Sequence, residues 1–381
     1  RNAFFFYTNP LGGLYDALIT DERNVNRDWN TVWYVETART RNGWTVEMAI
    51  PFKSLRYKRG GAQIWGINFR RVVRWKNEFS HLTPIPASYG FRGITKVSSA
   101  ATLVGLETPA RSKNIEIKPY AIAGLTTDQS TDPTSASDFG SDAGLDLKYG
   151  VTQGLIFVFT YNTDFAQVEV DEEQVNLTRF SLFFPEKREF FLEGQGIFQF
   201  GVGGGGRSGR SNTPIIFFSR RIGLNEGAAV PIVAGGRLTG RMGKYSIGAI
   251  SIATDENEAS GASFTNFSVL RFKRDVLRRS AIGIIGTLRS PTSTGEGDNQ
   301  VFGADANLAF YENLRINSYW AKSETLGRNG GDTSYQTRLD YDGDRYGLRM
   351  ERLVVGKNFN PEIGFMRRED FQRNFVQTRV R

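Results

Sequence analysis

The feature that most constrains the fold is an alternation of apolar and polar residues with period two, which recurs through most of the chain after residue 115. It is clearest in "AGLDLKYGV" (143–151), "VFGADANLAF" (301–310) and "YQTRLDYDG" (335–343). Successive residues of a β-strand point to opposite faces of a sheet, so each segment has one apolar face and one face with charged side chains. The pattern predicts an all-β protein with sustained antiparallel strands.

The lengths of the connections between these segments alternate as well. Short turns are predicted at 241–244, 273–277, 311–314 and 341–344, and longer polar connections at 126–141, 256–262, 290–300 and 323–333. A soluble sandwich also alternates apolar and polar residues, but short connections at one end and long ones at the other are typical of outer-membrane barrels. Aromatic residues near strand ends, such as Tyr319 and Trp320, suit the interfacial girdles of such a barrel.

The second part of the chain is therefore predicted to be an antiparallel transmembrane β-barrel of roughly a dozen strands. The sequence ends in "FVQTRVR" without an aromatic terminal residue, so we expect further strands to complete the closure. The predicted domains are 1–107 and 108–381, because the Pro-containing polar stretch 105–114 has the composition of a linker.

The first domain has a different composition, since five of the 6 tryptophans fall in the first fifth of the chain. Residues 31–40 and 43–55 read as two strands joined by a turn at Asn42 and Gly43, and residues 63–75 read as another strand. Short strands with turn residues between them predict a small antiparallel β-sandwich.

"GWTVEMAIPFKSL" (43–55) and "WGINFRR" (65–71) resemble the C-terminal half of the family 9 carbohydrate-binding module, with the start of the module missing. The resemblance implies stacking of aromatic rings on sugar faces and hydrogen bonds from polar side chains to sugar hydroxyls. The candidate sugar-binding residues are Trp29, Trp33, Trp75, Arg71 and Glu78. The alternative is that Trp44 and Trp65 are core rings and the other tryptophans pack at the edge of the sandwich.

The stretch "SLFFPEKREFFLEGQGIFQF" (181–200) breaks the strand rhythm with paired phenylalanines and dense charge. Charged residues are costly against lipid, so we expect this stretch to lie inside the barrel or at its rim and to close or constrict the pore, with its carboxylates near arginines such as Arg220, Arg221 and Arg237. The predicted constriction residues are Phe183, Phe184, Glu186, Lys187, Arg188, Glu189, Phe190, Phe191, Glu193, Arg220 and Arg221.

A second resemblance rests on "DFAQVEVDEEQVNLTRFSLFFPEKREFFLEG" (164–194), "FFSRRIG" (217–223) and "NPEIGFMRR" (360–368). These segments resemble DUF5916, a family of bacterial outer-membrane proteins without an established activity, over residues 115–381. The resemblance implies an outer-membrane location, a preceding sugar-binding-like module in the periplasm, and a chain that is a fragment of a longer protein.

Composition excludes several chemistries, because the chain has no cysteine and one histidine, His81. Thiolate nucleophiles and zinc sites built from cysteine or clustered histidine are ruled out. The net charge is +8, but the arginines are scattered, so nucleic acid is not a predicted partner. No cofactor or metal is predicted; a calcium site at "DEE" (171–173) would lack the glycine-containing calcium loop.

The function predicted from these patterns is binding or uptake of a glycan or related polar solute at the outer membrane, with the lipid bilayer as the second partner. The alternative is a glycoside hydrolase, which needs two carboxylates at a defined separation; Glu172 and Glu186 are its candidates. A third reading is a surface or assembly scaffold without a small ligand. The sequence carries no signal for an oligomeric state.

Overall fold

The structure is a computed structural model of the chain. It describes all residues except 1, 21, 23, 28, 30, 56, 58–60, 109–114, 127–137, 153, 164–174, 176, 178–181, 185, 202–211, 226–227, 258–260, 278, 312 and 381. None of the helices in the described part has the length and apolar character needed to cross a membrane.

The N-terminal part is built from short antiparallel strands. They are β1 (Ala3–Tyr7), β2 (Tyr15–Thr20), β3 (Asn24–Asn26), β4 (Tyr34–Thr40), β5 (Gly43–Ala49), β6 (Ala62–Ile67), β7 (Arg70–Val73), β8 (Glu78–His81) and β9 (Ala101–Glu107). Short 3-10 turns lie at Phe52–Ser54, Arg74–Lys76, Ala87–Thr95 and Val97–Ser99. The strands form one sheet of β1, β2 and β3 and the pairs β4–β5, β6–β9 and β7–β8. The family 9 sandwich stays a prediction.

The predicted hairpin of this part is present, because β4 pairs with β5 from Tyr34 opposite Ala49 to Thr40 opposite Gly43. The prediction of one strand over residues 63–75 is wrong, because the chain leaves the strand conformation between Ile67 and Arg70. At that point the Asn68 side-chain oxygen accepts hydrogen bonds from two backbone N–H groups, that of Phe69 at 3.0 Å and that of Thr83 at 3.4 Å. Such local side-chain bonding competes with continuation of the strand.

The rest of the chain forms one 12-stranded antiparallel sheet in which every strand pairs with its neighbours in sequence. Its strands are β10 (Ile115–Thr126), β11 (Asp138–Gly150), β12 (Leu155–Thr163), β15 (Ile232–Met242), β16 (Tyr245–Thr254), β17 (Thr265–Leu277), β18 (Ser280–Ser290), β19 (Asn299–Phe310), β20 (Leu314–Thr325), β21 (Thr333–Asp342), β22 (Tyr346–Val355) and β23 (Phe371–Val380). A separate pair, β13 (Leu224–Asn225) and β14 (Ala228–Ala229), precedes β15. The predicted all-β class and strand number are confirmed.

The connections of the large sheet alternate strictly between short and long. Short turns follow β11, β15, β17, β19 and β21, and longer connections follow β10, β12, β16, β18, β20 and β22. In an antiparallel meander this places every long connection at one end of the sheet, which we call the long-connection end. The turn predicted at 273–277 is misplaced, because β17 continues to Leu277 and the turn follows it.

The two faces of the large sheet differ in burial. Along β19, Val301 and Asp305 lie on one face and are buried, whereas Phe302 lies on the opposite face and is 49% exposed. Along β17, Phe267 and Val269 are buried, whereas Leu270 on the opposite face is exposed. We call the buried side the inner face and the opposite side the outer face. The faces predicted from the sequence alternation of β11, β19 and β21 agree with this arrangement.

The outer face carries a continuous series of exposed apolar side chains. They are Tyr149, Tyr161, Met242, Tyr245, Leu270, Phe272, Ile282, Ile284, Phe302, Trp320, Tyr335, Tyr341, Tyr346, Met350 and Val376. Soluble monomers rarely expose an apolar surface that spans a whole sheet.

The inner face is covered by residues 182–184, 186–201 and 212–223, which we call the inner segment. The segment contains a short helix, α1 (Glu189–Leu192), and 3-10 turns at Gln195–Ile197 and Ser219–Arg221. Residues 356–366, between β22 and β23, also pack there through Phe359 and Ile363. One apolar cluster joins these segments to buried side chains from strands as far apart as β12 and β22, so the sheet curls around the inner segment.

Barrel closure is not found in the described residues, because β10 and β23 are the two edges of the large sheet and are not paired with each other. None of the described members of the apolar cluster lies on β10 or β11, whereas Phe371 on β23, at the other edge of the sheet, packs against it. The sheet is therefore an open, curled sheet filled by the inner segment.

Candidate functional site

Glu186 and Arg188 form a buried ion pair in the inner segment. One carboxylate oxygen of Glu186 accepts hydrogen bonds from the backbone N–H groups of Lys187 at 3.1 Å and Arg188 at 2.9 Å, and from Arg188 Nε at 2.7 Å. The other accepts from Arg188 Nη2 at 2.6 Å and from the Ser219 hydroxyl at 2.6 Å. The Arg188 guanidinium also donates to the backbone oxygens of Ser219 at 2.7 Å and Ile222 at 2.8 Å. The pair therefore links two stretches of the inner segment.

The electrostatics of Glu186 fit a structural role. Burial by itself would raise the pKa of Glu186, but the charge and hydrogen bonds of Arg188, together with the Ser219 hydroxyl, outweigh burial and hold the pKa below its ordinary value. A general acid of glycoside hydrolysis needs a raised pKa instead. Glu186 is therefore arranged to stay ionised and to hold Arg188.

Glu193 connects the inner segment to the inner face of the sheet. Its carboxylate lies 2.9 Å from Lys148 Nζ on β11 and 3.7 Å from Arg237 Nη2 on β15. Arg237 is 1% exposed, donates to the backbone oxygen of Glu193, and lies over the Phe190 ring at 5.2 Å. The expectation that a carboxylate of this stretch meets Arg237 is confirmed.

The paired phenylalanines form two ring clusters. Phe183 stacks on Phe218 at 5.0 Å between ring centroids and contacts Phe365 edge-on at 5.3 Å. Phe190 and Phe191 are both buried and meet edge-to-face at 5.0 Å. Aromatic pairs in these geometries add to the free energy gained by burial, so the rings hold the inner segment together and join it to residues 356–366.

The remaining predicted constriction residues surround these clusters. Arg220 lies over the Phe184 ring at 5.8 Å, and Arg221 Nε donates to the backbone oxygen of Gly364 at 3.1 Å. Lys187 is half-buried. Glu189 begins α1, and its side chain lies outside the described part. The role of these residues in constricting a pore stays a prediction.

Arg271 on β17 and Asp305 on β19 form a second buried ion pair, which the sequence analysis did not identify. Arg271 Nη1 lies 2.7 Å from Asp305 Oδ1, and the two side chains are 0% and 2% exposed. Arg271 Nη2 also donates to the backbone oxygen of Gln199 at 3.0 Å, and Asp305 Oδ2 accepts from the N–H of Gly201 at 3.2 Å. Gly283 on β18 makes room for the pair, since an added Cβ would lie 2.6 Å from Arg271 Nη1. The only feature of the sequence that could have indicated this ion pair is the position of Asp305 on the charged face of its strand.

The structure brings together three of the five candidate sugar-binding residues. Trp75 is 83% exposed at the tip of the β7–β8 hairpin, and Arg71 and Glu78 are exposed on the two strands of that hairpin. Trp29 and Trp33 instead pack around Phe4 and Phe6, and Trp33 is 4% exposed. A sugar platform needs an accessible ring face, so Trp33 does not fit that role, and the alternative assignment as a packing residue fits it.

We expect Trp33→Ala to lower the free energy of unfolding by about 3 kcal/mol, because it deletes a buried ring and leaves a cavity. Trp75→Ala is the matched control, and its effect on stability is expected to stay within about 0.5 kcal/mol because the ring is exposed. Guanidinium unfolding of both variants, followed by circular dichroism, measures the difference. Equal losses would contradict the assignment of Trp33 to the core.

The other residues predicted for catalysis or metal binding lie in one acidic stretch of the sequence. Glu172 and the "DEE" stretch 171–173 lie outside the described residues. Within the described ranges, no group of three or more His, Asp or Glu side chains could hold a metal ion.

A known family model matches the part of the sequence that forms the inner segment and the strands before it. The model matches residues 111–231. It is DUF5916, a domain of unknown function. The DUF5916 match spans β10, β11, β12 and the inner segment, whereas the sequence resemblance was predicted over residues 115–381. No curated protein and no solved structure matches the chain.

Proposed function

We propose that the large sheet is the wall of an outer-membrane β-barrel whose interior is filled by the inner segment, and that the protein binds or takes up a glycan or related polar solute. The exposed apolar outer face carries this proposal. Lipid-facing residues of such barrels are apolar and alternate with polar residues that face the interior. The strict alternation of short and long connections adds support, because outer-membrane barrels have short periplasmic turns and long external loops.

The inner face supports the placement of the inner segment in the interior of the barrel. Buried ion pairs such as Arg271 with Asp305 are expensive to place against lipid, and they lie on the side covered by the inner segment. The inner segment is attached to the sheet through the ion pairs of Glu193 and through Arg237, which lies over the Phe190 ring. Passage of a solute would therefore require this segment to shift.

For the N-terminal part, we propose that the hairpin with Trp75, Arg71 and Glu78 contacts the glycan on the periplasmic side of the barrel. The exposed indole offers a face for a sugar ring, and the two charged side chains offer hydrogen bonds to hydroxyls. The DUF5916 match adds no activity, because the function of that domain is unknown. A hydrolase is not favoured by any specific observation, since Glu186 is held by Arg188.

Solute entry into vesicles tests this function. Protein reconstituted into lipid vesicles should admit a neutral monosaccharide slowly, and Glu186→Gln should admit it faster, because that substitution weakens the contact between the two stretches of the inner segment that fill the interior. Glu324→Gln is the matched control, since Glu324 is exposed and pairs with Lys322 on the surface. Sugar entry no faster than in protein-free vesicles for all three proteins, together with no retention on a glycan panel, would contradict the proposal.

A further inference from the structure

A polar cavity of about 90 Å³ lies at the long-connection end, between the inner segment and the sheet. Its walls come from the end of the inner segment and from the connections that follow β16 and β18. Its polar lining includes two guanidinium groups and several hydroxyl groups; the residues used below are Arg221, Arg289, Thr254, Thr265, Thr292 and Thr294.

Arg289 is the residue that makes the cavity unusual. Its side chain is 16% exposed, and its nearest carboxylate oxygen, on Glu362, lies 3.6 Å away, which is beyond hydrogen-bond distance. The buried Nε atom has no hydrogen-bond partner within the described residues. The Phe267 ring lies 5.5 Å from the guanidinium. A buried charged donor without an acceptor is costly, so the side chain is arranged for an acceptor that the chain itself does not supply.

The local charge balance is positive. Glu362 faces Arg289, but its carboxylate already accepts hydrogen bonds from the backbone N–H of Ser293 at 2.8 Å and from Asn360 Nδ2 at 3.3 Å. Arg221 uses its Nε on the backbone oxygen of Gly364 and also lines the cavity. Two arginines therefore share one carboxylate, and one positive charge is left over at a cavity lined with hydroxyl groups.

We propose that this cavity binds a small oxyanion through Arg289 and Arg221. Guanidinium groups recognise carboxylate, phosphate and sulfate through planar, charge-assisted hydrogen bonds, and the threonine hydroxyls can donate to the remaining oxygens. The oxyanion is either a free inorganic ion or the acidic group of a sugar. The site stands independently of membrane insertion, because the cavity is lined by one end of the large sheet, the end of the inner segment and residues of and beside the β13–β14 pair.

Ligand-induced shifts in unfolding temperature test the proposal on the complete chain. The probes are sodium phosphate, sodium sulfate and sodium glucuronate, against glucose and against sodium chloride at equal ionic strength. At least one oxyanion should raise the unfolding temperature above the chloride value. A shift with phosphate or sulfate alone assigns the site to a free ion, and a shift with glucuronate, but not with glucose, assigns it to an acidic sugar.

Three variants locate the effect. Arg289→Met should remove the oxyanion response, and Arg221→Met should weaken the affinity about tenfold, the loss expected for one charge-assisted hydrogen bond. Arg221 is exposed, so its substitution keeps the test valid if Arg289→Met fails to fold. Arg274→Met, at an exposed position on β17, should respond like the unmodified chain. The proposal would be overturned if no oxyanion raised the unfolding temperature, or if Arg289→Met and Arg221→Met responded as strongly as the unmodified chain.

Discussion

Asp305→Asn is expected to lower the free energy of unfolding by about 3–5 kcal/mol, because it leaves the Arg271 guanidinium buried without its counter-ion. The ion pair is 2.7 Å long and its side chains are 0% and 2% exposed, so water cannot replace the lost carboxylate. The neutral amide retains one acceptor but no charge. Guanidinium unfolding of the protein in detergent micelles, followed by far-ultraviolet circular dichroism, measures the loss.

The control for this experiment is Asp275→Asn. Asp275 on β17 pairs with Arg241 on β15, but the two side chains are 43% and 60% exposed, and exposed pairs contribute only about 0–1 kcal/mol. The double substitution Arg271→Met with Asp305→Leu should recover most of the stability, since replacing both charges by apolar groups removes the desolvation cost. A loss for Asp305→Asn no larger than for Asp275→Asn would contradict the buried pair.

The second large effect is expected for Glu186→Gln. The substitution removes the charge that Arg188 faces and weakens the contact with Ser219, at an expected cost of about 3–5 kcal/mol. The inner segment should then become sensitive to protease while the strands of the sheet stay protected. Limited proteolysis with mass spectrometry locates the first cleavages, and Glu324→Gln again serves as the matched surface control.

The same pair predicts a pH dependence. The pKa of Glu186 is held below its ordinary value by Arg188 and Ser219, against the effect of burial. A carboxyl group with a lowered pKa in the folded state stabilises the fold above its unfolded pKa, and this stability is lost as pH falls through the folded pKa. The difference in stability between the unmodified chain and Glu186→Gln should therefore be constant near neutral pH and shrink below about pH 4. A difference that persists at lower pH would contradict the ionised state of Glu186.

The architecture of the large sheet could be predicted because strand faces follow directly from period-two alternation. Phe302 and Asp305 lie on opposite faces of β19, as their sequence positions indicate. The turn after β17 was placed too early because "KRDVL" has turn-forming charge, yet Asp275 still pairs with Ala281 across the hairpin. Pairing with the neighbouring strand decided the boundary, and the local sequence does not contain that information.

The site was predicted less completely, for a related reason. Glu186 was expected to meet a distant arginine, but the chain turns locally so that Lys187 and Arg188 donate their backbone N–H groups to it. Trp33 and Trp75 look alike in the sequence, and only packing against Phe6 separates a core ring from an exposed one. Arg289 and Arg221 line the same cavity although they lie far apart in the chain. The periodicity and spacing of the sequence therefore do not predict this cavity.

The measurement that tests the central claim most directly is lipid exposure along β19. The chain has no cysteine, so a single cysteine at Phe302, Ala304 or Ala306 carries one fluorescent label on the outer face, and Asn307 provides the inner-face control. In vesicles of lipids with brominated acyl chains, the three outer labels should be quenched and the Asn307 label should not. Outer labels that are quenched by aqueous iodide instead of by brominated lipid would contradict a membrane-embedded sheet.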